Sequence, residues 1–193
     1  MNNFTHIGRF ALHDLDYFDP EANFWVPQHM ANPVPQRTET DCFRACVESI
    51  TGVVGLPNLY DLVPEWAHRN PSKEAIAVLE AADEKFKAAL AEIGWGLFDF
   101  SIYGNKHNPM TAQEALEFTA ELLGNVVCIV NGGYDGTEVN HAVVCRNGVV
   151  IHDPAYPTEA NYTAFDAPCW GIEDGVSKRL DSYLVQLVYK IGE

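Results

Sequence analysis

Apolar positions along the chain follow two regimes. Between about residues 41 and 123, apart from a strand-like run at 95–103, they recur at helical spacing, and from residue 126 onward they alternate or run in β-branched blocks. Phe43, Cys46, Val47 and Ile50 stand at i, i+3, i+4 and i+7, which predicts a helix over about 41–51 with one buried face. Thr40 or Asp41 is its candidate cap and Gly52 its stop. A short helical turn fits Asn58 to Val63, ahead of Pro64. A long amphipathic helix is expected from Ser72 to Ile93, introduced by Asn70-Pro71-Ser72 and ended by Gly94, with Leu79, Phe86, Leu90 and Ile93 on its stripe. Trp95 to Tyr103 reads as a strand. Thr111-Ala-Gln-Glu114 is a capping box that opens a further helix to Leu123, closed by Gly124.

The C-terminal third changes period. Val126 to Val130, Val139 to Arg146, Val149 to His152 and Tyr183 to Ile191 are strand candidates, and Asn147-Gly148 is a two-residue hairpin signal between the second and third. Helices followed by an antiparallel sheet define an α+β class. Residues 1–35 are rich in aromatics, Pro and Asn (Phe18, Phe24, Trp25, Pro27, Pro33, Pro35) and lack either period, so they are expected to form an irregular arm on a single domain of residues 36–193. The chain has no internal repeat, linker or low-complexity segment.

Length and composition narrow the function classes. A chain of 193 residues, 47% of them apolar, suffices for one packed core and not for two ordinary domains. The net charge of −15 is scattered in ones and twos without a Lys/Arg stripe, which argues against nucleic acid as a partner. A DNA mimic needs ordered single-sign faces, and none is visible. No stretch approaches about eighteen apolar residues and the N-terminus lacks a basic start with an apolar run, so a cytoplasmic protein without membrane contact is expected. Five cysteines, an odd number, in a chain able to build its own core point to reduced thiols rather than a disulfide framework.

One of those thiols sits in chemically useful company. Cys42 falls in the first turn of the first helix, where unsatisfied N–H groups and the positive dipole end favour a thiolate over a thiol of ordinary pKa about 8.5. Gln36 precedes it by six residues and offers a side-chain amide that, with the Cys42 N–H, can hold an oxyanion. His141 begins a strand and is the candidate general base. With the turn at Asn147-Gly148, paired residue numbers sum to about 295, which puts His141 opposite about residue 154 and Asp153 beside it as the orienting acid.

These residues resemble the papain-like cysteine peptidases in their order Gln, Cys, His, Asp, in the Gln-to-Cys spacing, and in a nucleophile opening a helix. The form Asp41-Cys42-x-x-Ala45-Cys46, with His141-Ala-Val-Val and a later His152-Asp153-Pro154, is most similar to the compact bacterial branch that includes bacteriocin-leader peptidases. It also resembles small papain-like proteins of bacteriophages and bacteria. The resemblance covers residues 36–52 and 139–154, and at Phe43 the chain departs from the glycine common in that branch. It implies a papain-like fold, a helical subdomain (about 36–124) facing an antiparallel sheet (about 125–193), with a cleft site between them. It further implies Gln36 as oxyanion donor, Cys42 as nucleophile, His141 as base and Asp153 as orienting acid, acting on a protein or peptide substrate without cofactor or metal.

Plainer alternatives stand beside these assignments. Cys46 is the rival nucleophile, one turn inward, while Cys128, Cys145 and Cys169 read as small buried hydrophobes. His152 also neighbours Asp153 but alternates to the opposite face, and Asp153 before Pro154 can simply begin a turn. A zinc site from Cys42, Cys46, His141 and His152 lacks a second pair at structural-zinc spacing. Trp25, Trp66, Trp95 and Trp170 fit core or groove walls. Hydrolysis of a peptide, isopeptide or related amide bond leads; deamidation and transpeptidation share its first step. The alternative from another class is a non-catalytic scaffold that binds a host or partner protein. The arm is also a candidate inhibitory pro-segment.

Overall fold

A computed structural model describes residues 4–7, 24–68, 72–103, 110–133, 140–155, 172–173, 176–177 and 182–191. Asn70, Pro71, Val139, Cys169 and Trp170 lie outside the described residues. The elements in chain order are β1 (Phe4–Ile7), β2 (Phe24–Pro27), α1 (Cys42–Thr51), a 3-10 turn (Tyr60–Leu62), α2 (Glu65–His68), α3 (Lys73–Glu92), β3 (Trp95–Tyr103), α4 (Ala112–Leu123), β4 (Val127–Gly133), β5 (Asn140–Arg146), β6 (Val149–His152), β7 (Ile172–Glu173), β8 (Val176–Ser177) and β9 (Ser182–Lys190). The class is α+β with an antiparallel sheet.

The last strand is the spine of that sheet. β3 pairs with β9 along its whole length, from Trp95↔Lys190 to Tyr103↔Ser182. The other edge of β9 is shared: β4 takes Tyr183 to Gln186, and β2 takes Lys190. β5 and β6 continue beyond β4, and β1 lies beyond β2. The N-terminal arm, expected to be irregular, thus supplies two strands of this sheet; each has only four residues, too few for a period to emerge.

Alternation along the central strands buries both faces. Val127, Ile129, Ala142 and Val144 pack with Cys46, Val47 and Ile50 of α1 and with Phe86 and Leu90 of α3. Cys128, Val130, Val143 and Cys145 pack with Ala115, Leu116 and Leu123 of α4. The sheet therefore lies between helices, because its strands are apolar at odd and even positions alike. The expected division into a helical part and a sheet part does not describe this arrangement: β3 belongs to the sheet, and α4 covers the face opposite α1.

Local signals account for most boundaries. The Ser72 side chain accepts the Ala75 N–H to start α3, and Thr111 and Glu114 form both bonds of the capping box on α4. Asn147 and Gly148 both have positive φ, 50° and 72°, as a tight hairpin turn requires. Two expectations fail. The stripe of α3 leaves Leu79 42% and Ile93 38% exposed, and the buried positions are Ala75, Ala82, Phe86 and Leu90. Alanines are buried there because α2 lies close, with Val63 and Ala67 against Ala75 and Ala82. Helix α1 is not buried on one face only: of its ten residues, Cys42 and Arg44 through Ile50 are all buried.

Candidate active site

Cys42 is the first residue of α1 and retains 8% exposure. Gly52, in the left-handed conformation at φ 73°, ends the helix, and Ala142 and Val144 of β5 receive it. That packing sets the start of the helix beside the start of β5. His141, the second residue of β5, is buried and hydrogen-bonded to Cys42. Its Nε2 lies 2.8 Å from Asp153 Oδ1. A carboxylate only accepts, so Nε2 carries a proton and Nδ1 is the nitrogen left for the thiol.

Asp153 does two things with one oxygen. Its Oδ1 accepts from His141 and also from the Ala155 N–H at 2.9 Å, so one carboxylate oxygen both begins the Asp-Pro turn and bonds the imidazole. The residue is reached differently from the simple hairpin register. Arg146↔Val149 and Cys145↔Val150 follow the turn, but a bulge then shifts the pairing to Val144↔His152, and β6 ends there. Asp153 hence sits on the loop after the strand, one step out of the expected count, since a bulge inserts an extra residue. His152 Nε2–H donates to Val34 O, 2.9 Å away, and does not join Cys42.

The electrostatics favour a charged pair. Burial pushes the Cys42 thiol up, but the hydrogen bond and charge of His141, with backbone hydrogen bonds from Ala142 and Phe43, hold it below its ordinary value. Burial pushes the His141 imidazole down, but Asp153 and then Cys42 raise it to about 9. Both directions favour thiolate and imidazolium. Cys46 differs in kind: it is fully buried, its Sγ–H donates to Ala142 O at 3.4 Å, and burial raises it well above the ordinary thiol value. Cys128 and Cys145 are buried and likewise raised, Cys128 to about 12. Among the described residues no group of three or more His, Cys, Asp or Glu is arranged to hold a metal ion. Nor is any helix among them long and apolar enough to cross a membrane.

Gln36 reaches the same neighbourhood through its backbone. Its N–H donates to Pro154 O at 2.9 Å, which fastens it beside Asp153, and its side-chain Oε1 is buried without a hydrogen-bond partner among the described residues. The preceding segment is built in as well. The N–H groups of Ala31 and Asn32 donate to Ser49 O, that of Val34 donates to Ser49 Oγ, and Val26 is fully buried in the core. This part of the arm is a structural strap across α1. Phe43 packs its ring on Phe86, with centroids 5.2 Å apart.

A feature missed in the sequence adjoins the site. Asp41, Arg44 and Glu48 are buried, although their spacing of i, i+3 and i+7 is that of a core stripe and was itself a signal. Asp41 occupies the cap position without making a side-chain cap hydrogen bond. Its carboxylate instead turns back to the Arg37 and Thr38 N–H groups and pairs with Arg44. No protein-family model, curated protein or solved structure matches this chain.

Proposed function

We propose that the protein is a papain-like, thiol-dependent hydrolase of peptide, isopeptide or related amide bonds. The observation that carries this reading is the chain of contacts from Cys42, at the N-terminus of a helix, to His141 and from His141 to Asp153 at 2.8 Å. A helix packed on an antiparallel sheet, with the order Gln, Cys, His, Asp, supports the papain-like assignment.

The chemistry follows from the charges. Cys42 Sγ⁻ attacks the carbonyl carbon, and the oxyanion formed is held by the Cys42 N–H and the Gln36 side-chain amide. Collapse breaks the C–N bond, and the His141 imidazolium gives its proton to the leaving amine. Neutral His141 then takes a proton from water as it attacks the thioester, and the carboxylic acid departs with Cys42 restored as thiolate. Because the Asp41 side chain does not cap α1, it leaves the first-turn N–H groups available to the thiolate and oxyanion. A substrate amine in place of water gives transpeptidation, and a side-chain amide in place of the peptide gives deamidation.

The test uses p-nitrophenyl acetate, whose acetyl group passes to Cys42 through the same tetrahedral oxyanion while p-nitrophenolate leaves without needing a proton. One equivalent released in a burst, with the acetyl group on Cys42 by peptide mass spectrometry, is the expected result. Gln36→Ala is expected to slow that burst by about 10²–10³. No burst from native protein, with acetylation spread over lysines, favours the non-catalytic binding scaffold instead.

A further inference from the structure

The loop of residues 36–41 has an unusual anchor. Asp41 is almost completely buried, and its Oδ1 accepts the Arg37 and Thr38 N–H groups, each at 3.0 Å, while Oδ2 accepts Arg37 N–H at 3.2 Å. Arg44, buried one turn along α1, pairs with the same carboxylate and so neutralises it next to the thiolate. Arg44 Nη1 also stands 3.8 Å from Glu48 Oε1, and Glu48 Oε2 accepts from Arg37 Nη2 at 3.0 Å. Gln36 thus lies between two fixed points, its own N–H on Pro154 O and the next residue's N–H on Asp41. The residue that makes the second point is the one directly before the nucleophile.

We propose that Asp41 is a positioning residue that joins nucleophile to oxyanion donor: by clasping the amides of Arg37 and Thr38 it aims the Gln36 side chain at the oxygen of the carbonyl attacked by Cys42. The inference rests on the hydrolytic reading above. An aspartate that capped α1 in the ordinary way would occupy first-turn N–H groups with its own charge. Turned back and paired with Arg44, it holds the donor loop and leaves those groups to the reacting anion. A grip through two N–H bonds restricts Gln36 more than one bond does, and a displacement of the order of 1 Å in a positioned group is enough to cost about 10²-fold in rate.

Two reactions of Cys42 separate this role from a merely structural one. Acylation by p-nitrophenyl acetate needs both thiolate and oxyanion stabilisation, whereas alkylation by iodoacetamide needs the thiolate alone. Both rates are measured for the full chain, for Gln36→Ala, for Asp41→Ala and for the double variant. Asp41→Ala is expected to slow acylation about ten- to a hundred-fold and to leave alkylation near pH 6 within about three-fold of native. The double variant is expected to acylate no more slowly than Gln36→Ala, because Asp41 acts through Gln36. Asp41→Asn, which keeps one acceptor oxygen and the size, should fall between native and Asp41→Ala, and it carries the same cycle if Asp41→Ala does not fold. Multiplying effects in the double variant, or equal loss of both rates on changing Asp41, overturn the inference while leaving the hydrolytic reading intact. A native burst that Gln36→Ala does not slow overturns the oxyanion assignment, and this inference with it.

Discussion

Replacing Asp153 by alanine is expected to slow turnover of the acetyl-enzyme by about 10²–10⁴. In the proposed hydrolysis His141 has to stand with Nδ1 toward Cys42 to remove a proton from water, and the 2.8 Å bond from Nε2 to Asp153 would hold that orientation. Asp153→Asn keeps an acceptor oxygen and should retain more activity than Asp153→Ala. The same change alters titration. Against burial, which pushes it down, Asp153 is the first of the groups that raise the imidazole from its ordinary value near 6.5 to about 9. The stabilisation contributed by charged His141 is therefore complete below the ordinary value and lost as pH rises through about 9. NMR titration of the imidazole should show the midpoint moving down in Asp153→Ala. Denaturant titrations should show native and variant stabilities converging toward the alkaline end of that window. An unchanged midpoint in Asp153→Ala contradicts the assignment.

Replacing Glu48 by alanine is expected to destabilise the fold by about 3–5 kcal/mol, the usual cost of removing one member of a buried ionic group. Glu48 is fully buried inside α1, and both of its oxygens are engaged. Oε1 accepts the Gly55 and Leu56 N–H groups at 2.7 and 3.0 Å and faces Arg44, and Oε2 accepts from Arg37. Alanine leaves two amides short of an acceptor and removes the second carboxylate that faces the buried Arg44, which keeps Asp41. Glu48→Gln keeps an oxygen for the amides and should cost less, about 1–3 kcal/mol. Urea denaturation followed by fluorescence measures both. A loss below about 1 kcal/mol for Glu48→Ala would mean that Arg44 and the 55–56 loop relax to water at little cost.

Sequence and structure agree where one local rule dominates. Asn147-Gly148 needed positive φ twice and formed the turn that carries β5 into β6. Thr111 and Glu114 capped α4 as their spacing dictates. The strand expected over Trp95 to Tyr103 has the same bounds in the structure. Cys42, His141 and Asp153, chosen for their chemistry, lie in contact even though the count that led to Asp153 was off by one at a bulge. Bulges depend on tertiary packing and leave no mark in a short β-branched run. The rest was hidden for similar reasons. Weighting by hydrophobicity favoured Leu79 over Ala75 and Ala82, whereas close approach of α2 favoured the small residues. Charges at core spacing in α1 do not read as core from sequence, because mutual pairing, which makes burial tolerable, is a three-dimensional property. The four-residue strands β1 and β2 owe their form to the edges they join.

The central claim is that Cys42 and His141 form a thiolate–imidazolium pair, and iodoacetamide alkylation of the native protein across the pH range tests it most directly. The rate at each of the cysteines is read by peptide mass spectrometry for native protein and for His141→Ala. A thiol held below its ordinary value keeps its thiolate as pH falls, until the lowered pKa is crossed. The account predicts that Cys42 alone among Cys42, Cys46, Cys128 and Cys145 reacts quickly at pH 6. It also predicts that His141→Ala shifts that reactivity up to the ordinary range near pH 8.5 or beyond. Reaction of native Cys42 only as pH nears 8.5, or a profile unchanged in His141→Ala, would contradict it.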